Sequence, residues 1–417
     1  MWLSQGVVAA AELAAASRLA AAAATIVAGD AGRHVAALAD DAFEGREAGS
    51  RGGRAAGAYI VEAIDHLGLE PAGDSGSFYQ PFGSMRNILA LARGSDPAVA
   101  DELVIVSAHY DHVGYGDASN SYGPFGFVHN GADDNASGVA GLIEIAEALQ
   151  ALPSHPRRSI LLAFWDGEEK GLLGSYHFLR ARPESLRDFR IVFCINLDMI
   201  GRLRGERVEV YGSRTSPGLR ALTVATNNRA GATALELAYV WKIDPDSDHY
   251  PFIEKQIPTL MFHTGLHDNY HRPSDDVHLV NLTGLEPVAR LTFATAVAVA
   301  DEVGGPRPFR PDCRREAESG QRMLEAQAAG GKRGRWGIGT RGDAAEPQAP
   351  VVVRVAADSP AARGGLIVGD RIVMIDGAEL ADQNDMVRRL SAAGKQLTIV
   401  VDRRGRLTQL ELDDDAA

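Results

Sequence analysis

Between residues 101 and 303 the chain alternates short apolar runs with longer stretches in which apolar positions recur every three or four residues. Leu103–Val106, Ser159–Trp165, Ile191–Leu197, Val208–Tyr211 and Pro258–Phe262 are nearly continuous in apolar residues, the mark of strands covered on both faces. Val139, Leu142, Ile143, Ala146 and Leu149 fall on one face of a predicted helix, and further helices are predicted near Ser175–Arg182 and over Leu285–Glu302. Strands alternating with helices predict an α/β domain with a mostly parallel central sheet sandwiched by helices. Its site is expected beyond the carboxyl ends of the strands.

The pattern changes at both ends. Residues 9–26 are Ala-rich and read as a helix; with no basic start, and with Glu12 and Arg18 interrupting, they make a poor signal peptide. We take 1–303 as the first domain, with 1–70 its helical part. Residues 304–333, rich in Pro, Gly, Arg and Ala, read as a linker with a short helix near Gln321–Ala328. Residues 334–417 carry short strands, turn signals and one helix near Asp382–Ala393, which predicts a small β-rich domain.

Composition narrows the function classes. Acidic residues outnumber basic ones by 55 to 42, for a net charge of −13, which argues against a nucleic-acid partner. No run of about 18 apolar residues is evident, so no membrane span is expected. The two cysteines, Cys194 in an apolar strand and Cys313 in a polar stretch, make neither a disulfide framework nor a thiolate metal site.

The candidate chemistry lies just after the strands. His109 follows the first apolar run, Asp134 lies in G-A-D-D-N-A-S-G, Glu168 and Glu169 follow F-W-D, Asp198 ends I-N-L-D, and His271 comes shortly after P-T-L-M-F. Parallel strands share one carboxyl edge, so these residues can converge. Two imidazoles and several carboxylates form a nitrogen/oxygen donor set suited to zinc, with cobalt or manganese as substitutes. Two ions would share one carboxylate, and Asp134 is the candidate bridge. Adjacent Glu168 and Glu169 point in different directions in an extended segment, so one can ligate while the other takes a proton from the attacking water.

These residues sit in S-A-H-Y-D-H-V-G (107–114), G-A-D-D-N-A-S-G (131–138), W-D-G-E-E-K-G-L-L-G-S (165–175), N-L-D-M-I-G (196–201) and Y-H-R-P-S-D-D (270–276). In that order they resemble the co-catalytic di-zinc aminopeptidase family, which shares its fold with glutamate carboxypeptidases, the transferrin receptor and glutaminyl cyclases. The resemblance covers roughly residues 33–303. It implies two Zn2+ held by His109, Asp134, Glu169, Asp198 and His271, with Glu168 as general base. It also implies Asp111 orienting His109, Asp275 orienting His271, and a cis bond at Asp134–Asn135. His249, in D-S-D-H-Y-P-F, and Tyr270 are candidates for facing substrate, and the loop 110–130 is available to wall the pocket. His112, His129, His177, His263 and His267 are read as structural or exposed. The implied substrates are peptides with a free N-terminus, and the implied location is periplasmic or secreted.

W-G-I-G-T at 336–340 and D-S-P-A-A-R-G-G-L-I-V-G-D at 358–370 resemble a PDZ domain of bacterial proteases. By that resemblance Gly337, Ile338 and Gly339 would line a groove for a C-terminal peptide, helped by Arg335 and Arg341. The competing expectations are a carboxypeptidase or glutaminyl cyclase on the same fold, and a scaffold that acts only through the PDZ-like part.

Overall fold

The computed structural model describes residues 16–229, 234–328 and 334–414. They divide into two units, 16–210, 229 and 244–307 in one, and 211–228, 234–243, 308–328 and 334–414 in the other. In chain order the first strands are β1 (Glu70–Pro71), β2 (Tyr79–Phe82), β3 (Met85–Ala92), β4 (Glu102–His109) and β5 (Ser159–Trp165). They are followed by β6 (Arg190–Leu197), β7 (Arg207–Tyr211), β8 (Glu236–Val240) and β9 (Thr259–His263). The helices are α1 (Ala28–Leu38), α2 (Arg51–Asp65), α3 (Gly138–Gln150), α4 (Leu173–Arg180), α5 (Leu219–Asn227), α6 (His249–Glu254) and α7 (Leu282–Ala300).

In the first unit the strand order runs β1-β3-β5-β4-β6-β9-β7, with β2 beside β3. β4 pairs in parallel with β5 and β6, and β6 with β9. The edge built from β1, β2 and β3 is antiparallel. Every residue of β4 and β5 is buried, which accounts for their apolar runs lacking alternation. On one face α3 packs with α1 and α7. Elsewhere Trp165 meets Phe178 and Phe252, with ring centroids 5.3 and 6.1 Å apart. Against the expectation of no membrane-length apolar run, α7 is long and apolar enough for one; 67% of that stretch is buried inside the protein, as in a core helix. The expected helix at 9–26 falls partly outside the described residues, and 16–23 are helical.

The parallel core brings the carboxyl ends of β4, β5, β6 and β9 to one edge. His109 ends β4, Asp166–Glu169 follow β5, Asp198 follows β6, and His271 lies beyond β9. The loops at this edge are tied together by a fully buried arginine. Arg46 donates from Nε to the Tyr110 carbonyl (2.9 Å) and from Nη1 to the carbonyls of Leu38 (2.7 Å) and Asn130 (2.6 Å). Its Nη2 donates to the carbonyls of Gly131 (2.9 Å) and Asp134 (3.4 Å). Burial lowers its pKa to about 10, so it is still charged at neutral pH.

The second unit contains α5, β8 and an antiparallel sheet in the order β10 (Ile338–Arg341), β11 (Val351–Val355), β12 (Arg371–Ile375), β14 (Gln396–Arg403), β15 (Arg406–Asp413). β13 (Ala378–Glu379) pairs with β12. Its helices beyond α5 are α8 (Glu318–Glu325), α9 (Pro360–Arg363) and α10 (Gln383–Ala392). The domain limits therefore differ from the expectation of 1–303, a linker at 304–333 and 334–417. Much of the expected linker is structured: Cys313 is buried and α8 packs on β11. The expected linker residues 329–333 lie outside the described residues. Charge explains the difference. Glu316 pairs with Arg214 and with Arg310 (2.5 Å), while Asp343 pairs with Arg214 (2.9 Å) and Arg371 (3.0 Å). The two Arg214 pairs join positions 102 and 129 residues apart in sequence and leave no periodic signal.

The expected peptide-carboxylate loop also differs. The Gly337 N–H donates to the Gly334 carbonyl (3.0 Å). Arg335 pairs with Asp414 (2.7 Å), and Arg341 donates to the carbonyls of Met323 (2.5 Å) and Ala326 (3.1 Å). Gly337 is nonetheless required, because it lies at φ 75° and a Cβ there would come 2.2 Å from the Ser359 side chain.

Arg46→Met removes the buried cation and leaves several carbonyls without donors. We expect it to lower the unfolding free energy by about 3 kcal/mol or more in urea denaturation. A loss under about 1 kcal/mol would mean that the carbonyls are held by other contacts.

Candidate metal centre

Between β4 and α3 the chain makes a tight turn at Ala132–Ser137. Gly131 enters it at φ 52°, where a Cβ would lie 2.1 Å from the Asp134 carbonyl oxygen, so only glycine fits. The Asp134–Asn135 bond is cis. Asp275 Oδ2 accepts the N–H groups of Asp133 (2.9 Å) and Asp134 (3.0 Å), and Asn135 Nδ2 donates to the Leu197 carbonyl (3.0 Å). The Asp134 carboxylate is thereby held from several sides.

Its two oxygens face two imidazoles. Oδ1 lies 3.4 Å from His109 Nε2, which is 3.5 Å from Asp198 Oδ1. Oδ2 lies 3.1 Å from His271 Nε2, which is 3.1 Å from Glu169 Oε2. Two clusters of possible donors result: His109, Glu168 and Asp198, and His112, Asp134, Glu169 and His271. Glu168 and Glu169 thus serve different clusters. His271 itself sits at φ 50°, a strained position for a side-chain-bearing residue.

Burial alone would push the Asp134 carboxyl up, but His112, His109 and His271 outweigh it and hold it well below the usual carboxylate range. Burial disfavours a charged His109, yet Glu168, Asp134 and Asp198 draw its pKa well above the ordinary value. The same contest leaves His271 at about 11 through Asp134 and Glu169. Glu168 is pushed well up by burial, against the opposing pull of His109 and with Glu169, Asp248 and Asp198 adding to it. The cluster therefore draws in positive charge, as protons on imidazole or as a cation.

Distances favour a cation. Donors at about 2.0–2.1 Å from a tetrahedral ion lie about 3.3 Å apart. The spacings of 3.1–3.5 Å around His109 and His271 match these edges and are longer than good charge-assisted hydrogen bonds. His112 Nδ1, at 2.8 Å from Glu169 Oε1, is at hydrogen-bond distance instead. It orients that carboxylate, so its role goes beyond the structural reading the sequence suggested. His112 and Arg46 carried little signal: one is a second histidine beside a stronger candidate, the other an arginine in a polar run.

Two other expectations are corrected. The Asp111 carboxylate is 3.8 Å from His109 Nδ1, which lies closer (3.2 Å) to the Asp111 backbone carbonyl. The carboxylate instead accepts the N–H groups of Glu168 (3.0 Å) and Glu169 (3.3 Å), so it orients the glutamate pair. Asp275 holds the Asp134 turn through its amides rather than orienting His271. Tyr270 stacks on His271, with ring centroids 3.9 Å apart. His249 is buried and joins neither cluster; Asp246 is 3.9 Å away. In the loop 110–130, the Tyr122 N–H and Ser121 Oγ donate to the His271 carbonyl (3.1 and 2.9 Å). His129 pairs with Ser121 (2.6 Å) and His267 with Asp133 (3.1 Å).

Comparison with known proteins agrees with this architecture. Residues 87–296 match the model of peptidase family M28, and residues 351–403 match a PDZ domain. Aminopeptidase YwaD of Bacillus subtilis is 27% identical over 52% of this chain and 45% of its own length. Probable lipoprotein aminopeptidase LpqL of Mycobacterium tuberculosis is 26% identical over 59% of this chain and 53% of its own. The chain thus spans about half the length of these curated relatives. Among solved structures, the Legionella pneumophila LapA aminopeptidase is similar in fold, with a TM-score of 0.58, 18% identity, and coverage of 69% of this chain and 76% of that one. Porphyromonas gingivalis glutaminyl cyclase gives a TM-score of 0.52 at 23% identity, covering 64% of this chain and 96% of that one. With a family match across half its length, the chain belongs to peptidase family M28 and carries a PDZ domain toward its C-terminus.

Proposed function

We propose that the chain is a di-zinc aminopeptidase. His109 and Asp198 would hold one ion and Glu169 and His271 the other, with Asp134 set between the two groups. The observation that carries this reading is the Asp134 carboxylate, whose two oxygens each face a different imidazole at ligand-edge spacing. Bound there, zinc would polarise the scissile carbonyl and make water a nucleophile near neutral pH. Glu168, half-buried beside His109 and Asp198, is placed to take the proton from the attacking water and to deliver it to the leaving amine nitrogen. Asp111 keeps Glu168 and Glu169 on their separate tasks by holding both amides.

The surroundings favour an ammonium end over a carboxylate end. Burial and Asp198 push the Asp246 carboxyl up to about 6. Asp248 is fully buried, and burial raises it to about 7, as acids crowded beside a negative centre are. Of the arginines near this edge, Arg46 and Arg272 are engaged by carbonyls, and Arg202 donates to Asn269 beside Asp275. Two donor clusters also favour two ions over the single ion expected of a cyclase. The names of YwaD, LpqL and LapA support the aminopeptidase reading.

Glu168→Gln keeps both ions, measured by metal mass spectrometry, and lowers kcat on aminoacyl substrates by about 10²-fold or more. Retained turnover would reassign the base. The unaltered enzyme should release N-terminal residues from free peptides and leave N-acetylated ones intact; equal cleavage of both would end the aminopeptidase reading. His112→Phe should weaken zinc affinity about 10- to 100-fold in chelator competition, because Glu169 loses the hydrogen bond that orients it. Unchanged affinity would make His112 a packing residue.

A further inference from the structure

A second group of metal-capable side chains lies away from this centre, between α1 and α3. His34 on α1 and Glu144 and Glu147 on α3 each bring one donor atom within 4.8 Å of the others. Glu144 and Glu147 are three apart on a helix and share a face. Glu144 is fully buried. Its Oε2 accepts the Val27 N–H (2.9 Å), while its buried Oε1 has no hydrogen-bond partner among the described residues. Leaving such an oxygen unpaired costs about 1–3 kcal/mol or more, so the position calls for a proton or a cation.

His34 is prepared for the second case. Its Nδ1 lies 2.8 Å from the Tyr59 hydroxyl, which steadies the ring and leaves Nε2 for another partner. Burial, with Arg33 adding to it, lowers its pKa, so the imidazole is neutral at pH 7 and able to ligate. Arg33, the neighbouring guanidinium, pairs with Asp30 (2.6 Å). His34 and Glu147 are partly exposed, which gives an ion a way in.

We propose that His34, Glu144 and Glu147 form a separate binding site for a divalent transition ion such as zinc, with water completing the shell. The ion cross-links α1 to α3. Since α3 begins directly after the turn that carries Asp134, the ion fastens α1 to the helix that supports that turn. The role is one of scaffolding, and it stands whether or not the Asp134 centre is catalytic.

The test is a zinc-edge anomalous difference map from crystals of the full chain grown with zinc chloride. Density enclosed by His34, Glu144 and Glu147 is expected, together with one zinc equivalent that His34→Gln and Glu147→Gln each lose in metal mass spectrometry. A map with no density at this position, or variants that keep the full zinc count, would overturn the site whatever the centre holds. Density here with none beside Asp134 would count against the proposed function and leave this site standing.

Discussion

Buried carboxylates set side by side repel one another, and the carboxyl edge of the parallel sheet gathers several of them around Asp134. Two like charges about 4 Å apart cost about 4 kcal/mol even at an effective dielectric of about 20. Asp111, Asp134, Glu168, Glu169 and Asp198 are all drawn into this small volume. They call for positive charge among them, and the carboxylates draw the pKa values of His109 and His271 upward against the effect of burial. The architecture around the site is best understood as what keeps such a cluster from spreading.

The restraint comes from backbone contacts more than from side-chain pairs. Arg46 gathers carbonyls from the end of α1 and from both ends of the loop after β4, Gly131 allows the turn that no other residue could make, and Asp275 takes two consecutive amides of that turn. Asp133 does the same for a neighbouring loop, accepting the Gly201 N–H (2.6 Å) while His267 contacts its other oxygen. The acids thus fall into two kinds. Asp134, Glu169 and Asp198 point at imidazoles across gaps suited to an ion, while Asp111, Asp133 and Asp275 are occupied by amides. A carboxylate satisfied by backbone donors adds rigidity without competing for the ion.

This division explains how far the sequence could be read. The runs Leu103–Val106 and Ser159–Trp165 were legible as strands because burial on both faces leaves no alternation, and β4 and β5 are wholly buried. The residues just after those strands were legible as a site because parallel strands share one carboxyl edge. What Asp111 and Asp275 accept was not legible, since it depends on loop paths that no periodicity encodes. Arg46 lies in a polar stretch that reads as solvent-facing, and His112 sits beside the stronger candidate His109. The limits of the second unit were misread for a related reason: the arginines at 214 and 371 meet Asp343 from segments more than a hundred residues apart in sequence, and the same network brings in Glu316.

The electrostatics of the centre also bear on which end of a peptide it would receive. Asp248 Oδ2 is buried without a hydrogen-bond partner among the described residues, although Ser175 donates to the other oxygen. Burial raises its pKa, and His109 partly offsets that. Cations between the Asp134 clusters would lower the negative potential felt by Asp246 and Asp248 and favour their ionised forms. Filling the centre would therefore leave charged acids beside it, Asp246 exposed and Asp248 buried beneath, and a free ammonium group complements that field where a carboxylate is repelled. The acidity that demands ions at the centre and the acidity that would select the amino end of a substrate are, on this account, two consequences of one arrangement of carboxylates.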